Sequence, residues 1–356
     1  MLKITFITNS TEFTQWKKIQ IFKSMNTITG SLTLFTPSFY NGKSSGWKLY
    51  VGDEFELKVN NATISKGIID KIVPTYGFDN NNLPEYKFSI YCRDKTSLLV
   101  DTTYDKPENE WKNETVINII RRICSAYGIE CAYEQSITSI VNTKIDCFKH
   151  NEGDFAITSI IRLTNEIGVL PISYSDNKLT IIKGTTNVLS KDAIQIGANV
   201  KYATSIHSNA DRYSNYTVKG TGIGSDTKQL TDFIQPYGEA NDSIITTYRP
   251  YIIFSDVPTD SGKSQSKAKW ERNIRAGNSR KRIYVMNSWV QSDNKIWNIN
   301  TLARVKDWHA EIDKQMLISE AIYNYDSESG NNCILTVVDK NTYSTNDAII
   351  KGEFDR

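Results

Sequence analysis

The sequence predicts a mainly β chain interrupted by α+β segments, and three observations predict it. The first is the number of period-two runs rich in Thr, Ile, Val, Phe and Tyr, the composition half-buried strands prefer. The second is a stretch that occurs twice, at residues 54–94 and, more loosely, at 300–339. In the first copy Phe55, Leu57 and Val59 alternate with charged residues, Ile64 and the run Gly67 to Ile72 follow, and Phe88, Ile90 and Cys92 lead into Asp94-Lys95. In the second, Leu302 and Val305 precede Ile312, Leu317 to Ile322 follow, and Cys333, Leu335 and Val337 lead into Asp339-Lys340. Such alternation buries one strand face and wets the other, so each copy reads as three strands of a small antiparallel barrel or sandwich. The alignment matches Val59 with Val305, Ile72 with Ile322 and Cys92 with Val337 as core positions. The third observation is that helical spacing is confined to a few places, all outside the two copies.

Length and composition bound the rest. A chain of 356 residues is too long for one core and divides into two to four compact units. Hydrophobic content of 39% with 23% charged residues is ordinary for a soluble protein, and a formal charge of +2 gives no global pull toward nucleic acid or acidic lipid. The opening Met1 to Ile7 is too short and too strand-like for a signal sequence, and no run approaches the roughly 18 apolar residues of a membrane span. The expectation is a protein made in a cytosol that stays soluble. Five cysteines (Cys92, Cys124, Cys131, Cys147, Cys333) without a CxxC pair argue against a disulfide framework or a zinc knuckle and read as buried small hydrophobes.

Taken in order, residues 1–101 read as strands throughout: Ile4 to Thr8, Lys18 to Phe22, Ser31 to Phe35, then the first copy, with turn clusters at Asn41-Gly42 and Asp79 to Asn82. At Asp105-Lys106-Pro107 the pattern breaks, and Asn113-Glu114-Thr115 opens a helix carrying Val116, Ile119, Ile120, Ile123, Cys124 and Tyr127 to a cap at Gly128. A second helix follows Glu152-Gly153-Asp154 and ends at Gly168. A hairpin turns at Asp176-Asn177, completing an α+β unit over 102–198. Strand pattern returns from Asn199 to Lys219. Residues 223–282 form an insertion with an extended Ile244 to Phe254 segment and a basic helix from about Ser264 to Ala276. Strand pattern then resumes from Arg282 to Val290, so 199–222 and 283–348 make a second β unit interrupted by that insertion.

Several motifs suggest chemistry and fail on spacing. Gly42-Lys43-Ser44 and Gly262-Lys263-Ser264 resemble the end of a phosphate-binding loop, but the glycine such a loop needs is replaced by Pro37 and Val257. Gly220-Thr221-Gly222-Ile223-Gly224 has its third glycine one residue early for a dinucleotide fingerprint. None of His150, His207 and His309 has another ligand at metal spacing on a predicted helix, and no nucleophile-elbow sequence occurs. No catalytic, cofactor or metal residue is therefore assigned. The charge anomaly is Lys263, Lys267, Lys269, Arg272, Arg275, Arg280, Lys281 and Arg282 against the single acid Glu271. It reads as a solvated helix face, as a docking face for an acidic partner, or as a nucleic-acid contact. Trp270 and Ile274 would pin the opposite face of this helix to the body.

Around this helix the sequence resembles a known family. Trp270-Glu271-Arg272, Arg275-Ala276-Gly277, Ser279, Tyr284-Val285, Trp289 and Trp297 to Asn300 are similar to the gpP-like baseplate hub proteins of contractile-tailed phages. So, upstream and in the same order, are Trp16, Arg93 to Thr96, Leu99 to Asp101, Arg162-Leu163, Asp211 to Tyr216, Val218 to Gly220 and Tyr248-Arg249-Pro250. The Asn-rich 79–82 tip and Ser288 depart from the pattern. The resemblance implies two tail-tube-like β-barrels per chain and a homotrimer whose six barrels match a six-fold tail tube above. It implies a central spike protein below, neighbouring baseplate wedge proteins as further partners, and DNA only in transit. It also implies a virion protein without enzymatic activity or cofactor, assembled in the host bacterial cytoplasm. A tail-associated peptidoglycan hydrolase and a carbohydrate-binding tail fibre protein are the alternatives.

Overall fold

The computed structural model describes residues 3–36, 48–78, 82, 84–220, 237–257 and 259–355. Strands hold 44% of the chain and helices 16%, so the chain is mainly β. From the N-terminus, β1 (Ile4–Thr8), β2 (Thr11–Phe13), β3 (Lys18–Ser24) and β4 (Ser31–Phe35) precede a meander of β5 (Glu54–Val59), β6 (Ala62–Phe78) and β7 (Pro84–Arg93). The short helix α1 (Ser97–Asp101) leads into β8 (Glu110–Thr115), α2 (Val116–Ser125), β9 (Cys131–Tyr133), α3 (Thr138–Val141), β10 (Lys144–Lys149), α4 (Ala156–Glu166), β11 (Leu170–Ser173) and β12 (Leu179–Ile182). Next come β13 (Ile194–Gln195), β14 (Val200–Ser205), β15 (Asn215–Lys219), β16 (Tyr237–Asn241), β17 (Pro250–Phe254) and α5 (Ser261–Asn278). A strand β18 (Arg282–Met286) and a second meander, β19 (Thr301–Asp307), β20 (Ile312–Asp326) and β21 (Gly330–Asp339), follow.

The large sheet runs β14-β18-β21-β20-β3-β4-β7-β6-β5-β1-β2, with β13 and β19 joined to it beside β20. Within it one five-strand pattern occurs twice: β3-β4-β7-β6-β5 and β14-β18-β21-β20-β19, with every pair antiparallel. Each long middle strand carries an irregularity at the same point, between Ile69 and Lys71 in β6 and between Ile318 and Glu320 in β20. An extra residue at a bulge changes which face the following side chains occupy. The strand pairings correct two of the three matches drawn from sequence. Cys92 and Val337 are counterparts, facing Ile69 and Ile318. Val305, however, matches Leu57, and Ile72 matches Ala321, because Leu57 faces Ser65 as Val305 faces Lys314, and Ile72 faces Ile90 as Ala321 faces Leu335. Leu57, Val305, Ile69, Ile318, Cys92 and Val337 are all buried in one continuous core. The two sets are joined through the second half of β20, which pairs with β3 from Glu320↔Ser24 to Asp326↔Lys18.

Between the sets, α2 and α4 pack their apolar faces into a separate core with Trp111, Phe148, Leu179 and Ile181. Their starts and stops follow the expected chemistry: Thr115 and Phe155 stand extended before the first turns, and Gly128 and Gly168 take the left-handed conformation (φ 63° and 66°) past the last. Other expectations need correction. Residues 97–101 form a helix, not a strand, and Asn113-Glu114-Thr115, expected to open the helix, instead ends β8, which pairs with β10. The stretch from Asn199 to Lys219 is two strands in different sheets: β14 joins the large sheet, while β15 pairs with β16 and with β17. The insertion thus starts after Ser205 rather than at 223, and β13, assigned from sequence to the α+β unit, pairs with β19. The Asn41-Gly42 turn, the Gly42-Lys43-Ser44 motif, residues 79–81 of the Asn-rich tip and 221–224 of the glycine-rich loop lie outside the described residues.

Candidate functional site

The basic run along and after α5 carries eight cations with only Asp260 and Glu271 as acids close to it in sequence. α5 begins where the Asp260 carboxylate accepts the Lys263 backbone N–H at 2.9 Å, capping the first turn and favouring that negative charge at the positive end of the helix dipole. Gly262-Lys263-Ser264 is thus an ordinary helix start. One face of α5 lies on the β15–β17 sheet, with Ala268 against Tyr216, Val218 and Ala240. Trp270 enters the main core with Ile274 packed beside it, as the spacing of the two anticipated.

Every cation of the run meets an acid of the same chain. Lys267, on the buried side, pairs with Glu166 of α4, which also accepts bonds from Ser255 and from the Asp256 backbone N–H at 2.8 Å each. Lys263 pairs with Asp260 at 3.5 Å, Arg275 with Glu271 at 3.5 Å and Lys281 with Glu320 at 3.9 Å. The others hold the C-terminal segment: Lys269 and Arg272 meet Asp347 at 2.6 and 3.4 Å, Arg280 meets Asp355, and Arg282 meets Glu353 at 2.8 Å. Lys267, Arg272, Arg280 and Arg282 are buried. The run is therefore not one free cationic face, and half of it is internal structure. Arg275 also lies over the rings of Tyr251 and Tyr213, with its guanidinium carbon 4.4 and 5.4 Å from their centroids.

Beneath the segment sits a residue the sequence did not single out for this role. Arg212 is fully buried and donates to both carboxylate oxygens of Asp242, at 2.6 and 3.0 Å, and to the Ile350 carbonyl at 2.8 Å, while Asp355 stands 3.8 Å away. Asn273, also buried, donates to the carbonyls of Ser344 and Asn346 at 2.8 Å each. The arrangement is a clasp: residues 344–355 run over α5 and are fastened from below. Its only sequence signal is three acids, Asp347, Glu353 and Asp355, placed after a long basic run.

The clasp has an acid limit. The side-chain hydrogen bond from Lys269 holds Asp347 below the usual carboxylate range, assisted by the charges of Lys269 and Arg272. For Asp355, burial pushes the carboxyl up, but bonds from Arg280 and the Gly352 N–H, with the Arg212 charge, outweigh it and leave it low. A carboxyl that ionises more readily when folded stabilises the fold above its unfolded value, about 3.9, and that contribution is lost as pH falls through the lower folded value. Proteolysis after residue 340 should accordingly be slow at neutral pH and accelerate below about pH 4. Unchanged cleavage in acid would count against the clasp.

The three histidines have separate surroundings. His150 Nδ1 lies 2.8 Å from the Ser159 hydroxyl in the α+β core, where burial pushes its pKa down. His207 meets Glu353 at 3.2 Å, and His309 stacks on Trp308. Among the described residues no three His, Cys, Asp or Glu side chains gather as a metal set, and no helix is long and apolar enough to cross a membrane.

Two parts of the chain match family models. Residues 96–183 match the second domain of the gp44-like baseplate hub proteins, and residues 260–346 match the fourth domain of the Mu phage baseplate assembly protein GpP. The chain is 25% identical over 297 residues to the baseplate hub protein gp44 of Escherichia phage Mu, covering 82% of this chain and 76% of that one. It is similar in fold to the 43 kDa tail protein of prophage MuSo2 from Shewanella oneidensis (TM-score 0.81, 24% identity, 96% of this chain and 99% of that one). It is also similar to a tail protein from Neisseria meningitidis (TM-score 0.78, 15% identity, 98% and 99%).

Proposed function

We propose, from the premise that the chain is a tail baseplate hub protein of the phage Mu type, that its work is mechanical and that three copies form an adaptor ring. The observation that carries this reading is the five-strand set occurring twice in one chain in the same order. Each set, closed by its returning strands, is read as one tube-like barrel, so three chains present six similar units to a six-fold tail tube while keeping three-fold symmetry toward a central spike. A head-to-tail contact between such units either closes into a ring or runs on as a filament, and a ring is the form a channel requires.

In this arrangement the α+β segment and the insertion held by the clasp form the spike side. DNA passes through the centre, neighbouring wedge proteins contact the outside, and the protein resides in the virion tail after assembly in the host cytoplasm. No catalytic step is assigned to it. A partner that docks on the basic run must exchange existing ion pairs, and the cations it can reach are Lys263, Lys269, Arg275 and Lys281, whose side chains keep 48, 25, 24 and 25% of their exposure.

Electron microscopy of the assembled tail particle tests the proposal. The expected density is a ring of three copies in which residues 54–94 and 300–339 occupy near six-fold positions; any other copy number overturns it.

A further inference from the structure

The internal junction between the two five-strand sets has a second half that a single chain leaves unused. In the second set, the end of β20 is covered by β3 of the first set, which buries Ala321 and Tyr323 on one strand and Ile19 and Ile21 on the other. The counterpart of the end of β20 is the end of β6, residues 71–77. The counterpart of β3 is β14, since Ile21 faces Leu32 and Leu32 faces Cys92 as Ser205 faces Arg282 and Arg282 faces Val337. Among the described residues neither strand pairs with a further strand on that side, and only Val200, at the start of β14, makes an isolated bridge, to Ile196. Positions buried at the inner junction are open here: Pro74 is exposed where Tyr323 is buried, Ala203 and Ser205 are exposed where Ile19 and Ile21 are buried, and all of β14 but its first residue lies open.

We infer that the end of β6 of one chain pairs antiparallel with β14 of the next, repeating between copies the junction that β20 and β3 make within one. This rests on the ring reading above and names its contact.

Carrying the register of β20 and β3 across fixes the partners. Asn324 opposite Gln20 becomes Thr75 opposite Thr204 of the neighbouring copy, Ile322 opposite Phe22 becomes Val73 opposite Ile206, and Asp326 opposite Lys18 becomes Gly77 opposite Tyr202. Each new pair is compatible: two hydroxyls, two aliphatics, and an aromatic ring over a glycine. The side-chain bond of 3.0 Å between Gln20 and Asn324 and the ion pair of 3.0 Å between Lys18 and Asp326 stay within the chain. The pairs Thr75–Thr204 and Gly77–Tyr202 are thus uncharged, where Lys18–Asp326 in the inner junction is an ion pair.

One rung is missing. Phe88 turns both its N–H and its carbonyl toward Thr36, so Pro74 opposite it points its nitrogen at the open edge, where it cannot donate. A proline there also keeps the edge from adding strands indiscriminately, while its carbonyl still accepts.

The test is a chain with Thr75→Cys and Thr204→Cys in a Cys147→Ser background, mildly oxidised, with its mass read in parallel by sedimentation over rising concentration. A covalent trimer is expected, with none from either single cysteine and none from Thr75→Cys with Ala203→Cys, whose side chains lie on opposite faces. A sedimenting trimer without the 75–204 disulfide overturns the joint and leaves the ring standing. A covalent species of another copy number supports the joint and overturns the trimer. A chain that stays monomeric and uncrosslinked at every concentration counts against the joint, and the ring is then decided by microscopy alone.

Discussion

Arg212→Ala is expected to destabilise the chain by about 3–5 kcal/mol, because it strands the Asp242 carboxylate in a buried site and removes the donor to the Ile350 carbonyl. The loss should show as an earlier unfolding midpoint in urea, followed by tryptophan fluorescence. Arg212→Lys should recover only part of it, since an ammonium cannot reproduce the two parallel bonds of the guanidinium. Arg212→Met with Asp242→Leu should recover more, because a buried pair replaced by packed apolar groups loses no charge partner. A single Arg212→Ala variant as stable as the parent would mean that the buried pair contributes nothing.

Gly238→Val should cost about 3 kcal/mol or more, at or above the upper end of the usual cost of overpacking. Gly238 lies in β16 beneath the first turns of α5, and even a Cβ there would overlap the backbone of Ser264 and Gln265. Backbone has no rotamer to change, so α5 must lift, drawing Trp270 out of the core. Circular dichroism and the midpoint of thermal unfolding check this, with Gly52→Asn as comparison: Gly52 has open space around it, so a side chain there meets only the strain of its positive φ of 94°. Equal effects at the two sites would remove the close approach as the cause.

The meanders and the two longer helices of the α+β segment were legible because their signals are local. Alternating Phe55, Leu57 and Val59, or Val116 to Cys124 ahead of Gly128, declare a period and an end. What failed failed for physical reasons. The two long middle strands correspond at one offset before and after their bulges, but Ala321-Ile322 puts an apolar residue at both neighbouring positions, so likeness of side chain matched Ile72 with Ile322 and only the pairing assigns Ala321. Tyr216 and Val218 continue the strand pattern of β14, and only pairing assigns them to another sheet. The burial of Lys267, Arg272, Arg280 and Arg282 was not legible because their acids, Glu166, Asp347, Glu353 and Asp355, lie far away in sequence, and no spacing rule connects them.

The pairing of β3 with β20 also sets a schedule for synthesis. Gln20 and Asn324 are 304 residues apart. At about 5–20 residues per second, the N-terminal half waits roughly 15–60 s on the ribosome with the β3 edge open. Lys18 and Lys23, at the two ends of β3, place positive charge along that waiting edge and disfavour its pairing with an identical edge on a neighbouring nascent chain. A charge that in the finished protein serves one ion pair, Lys18 with Asp326, earlier serves to keep sister polypeptides apart.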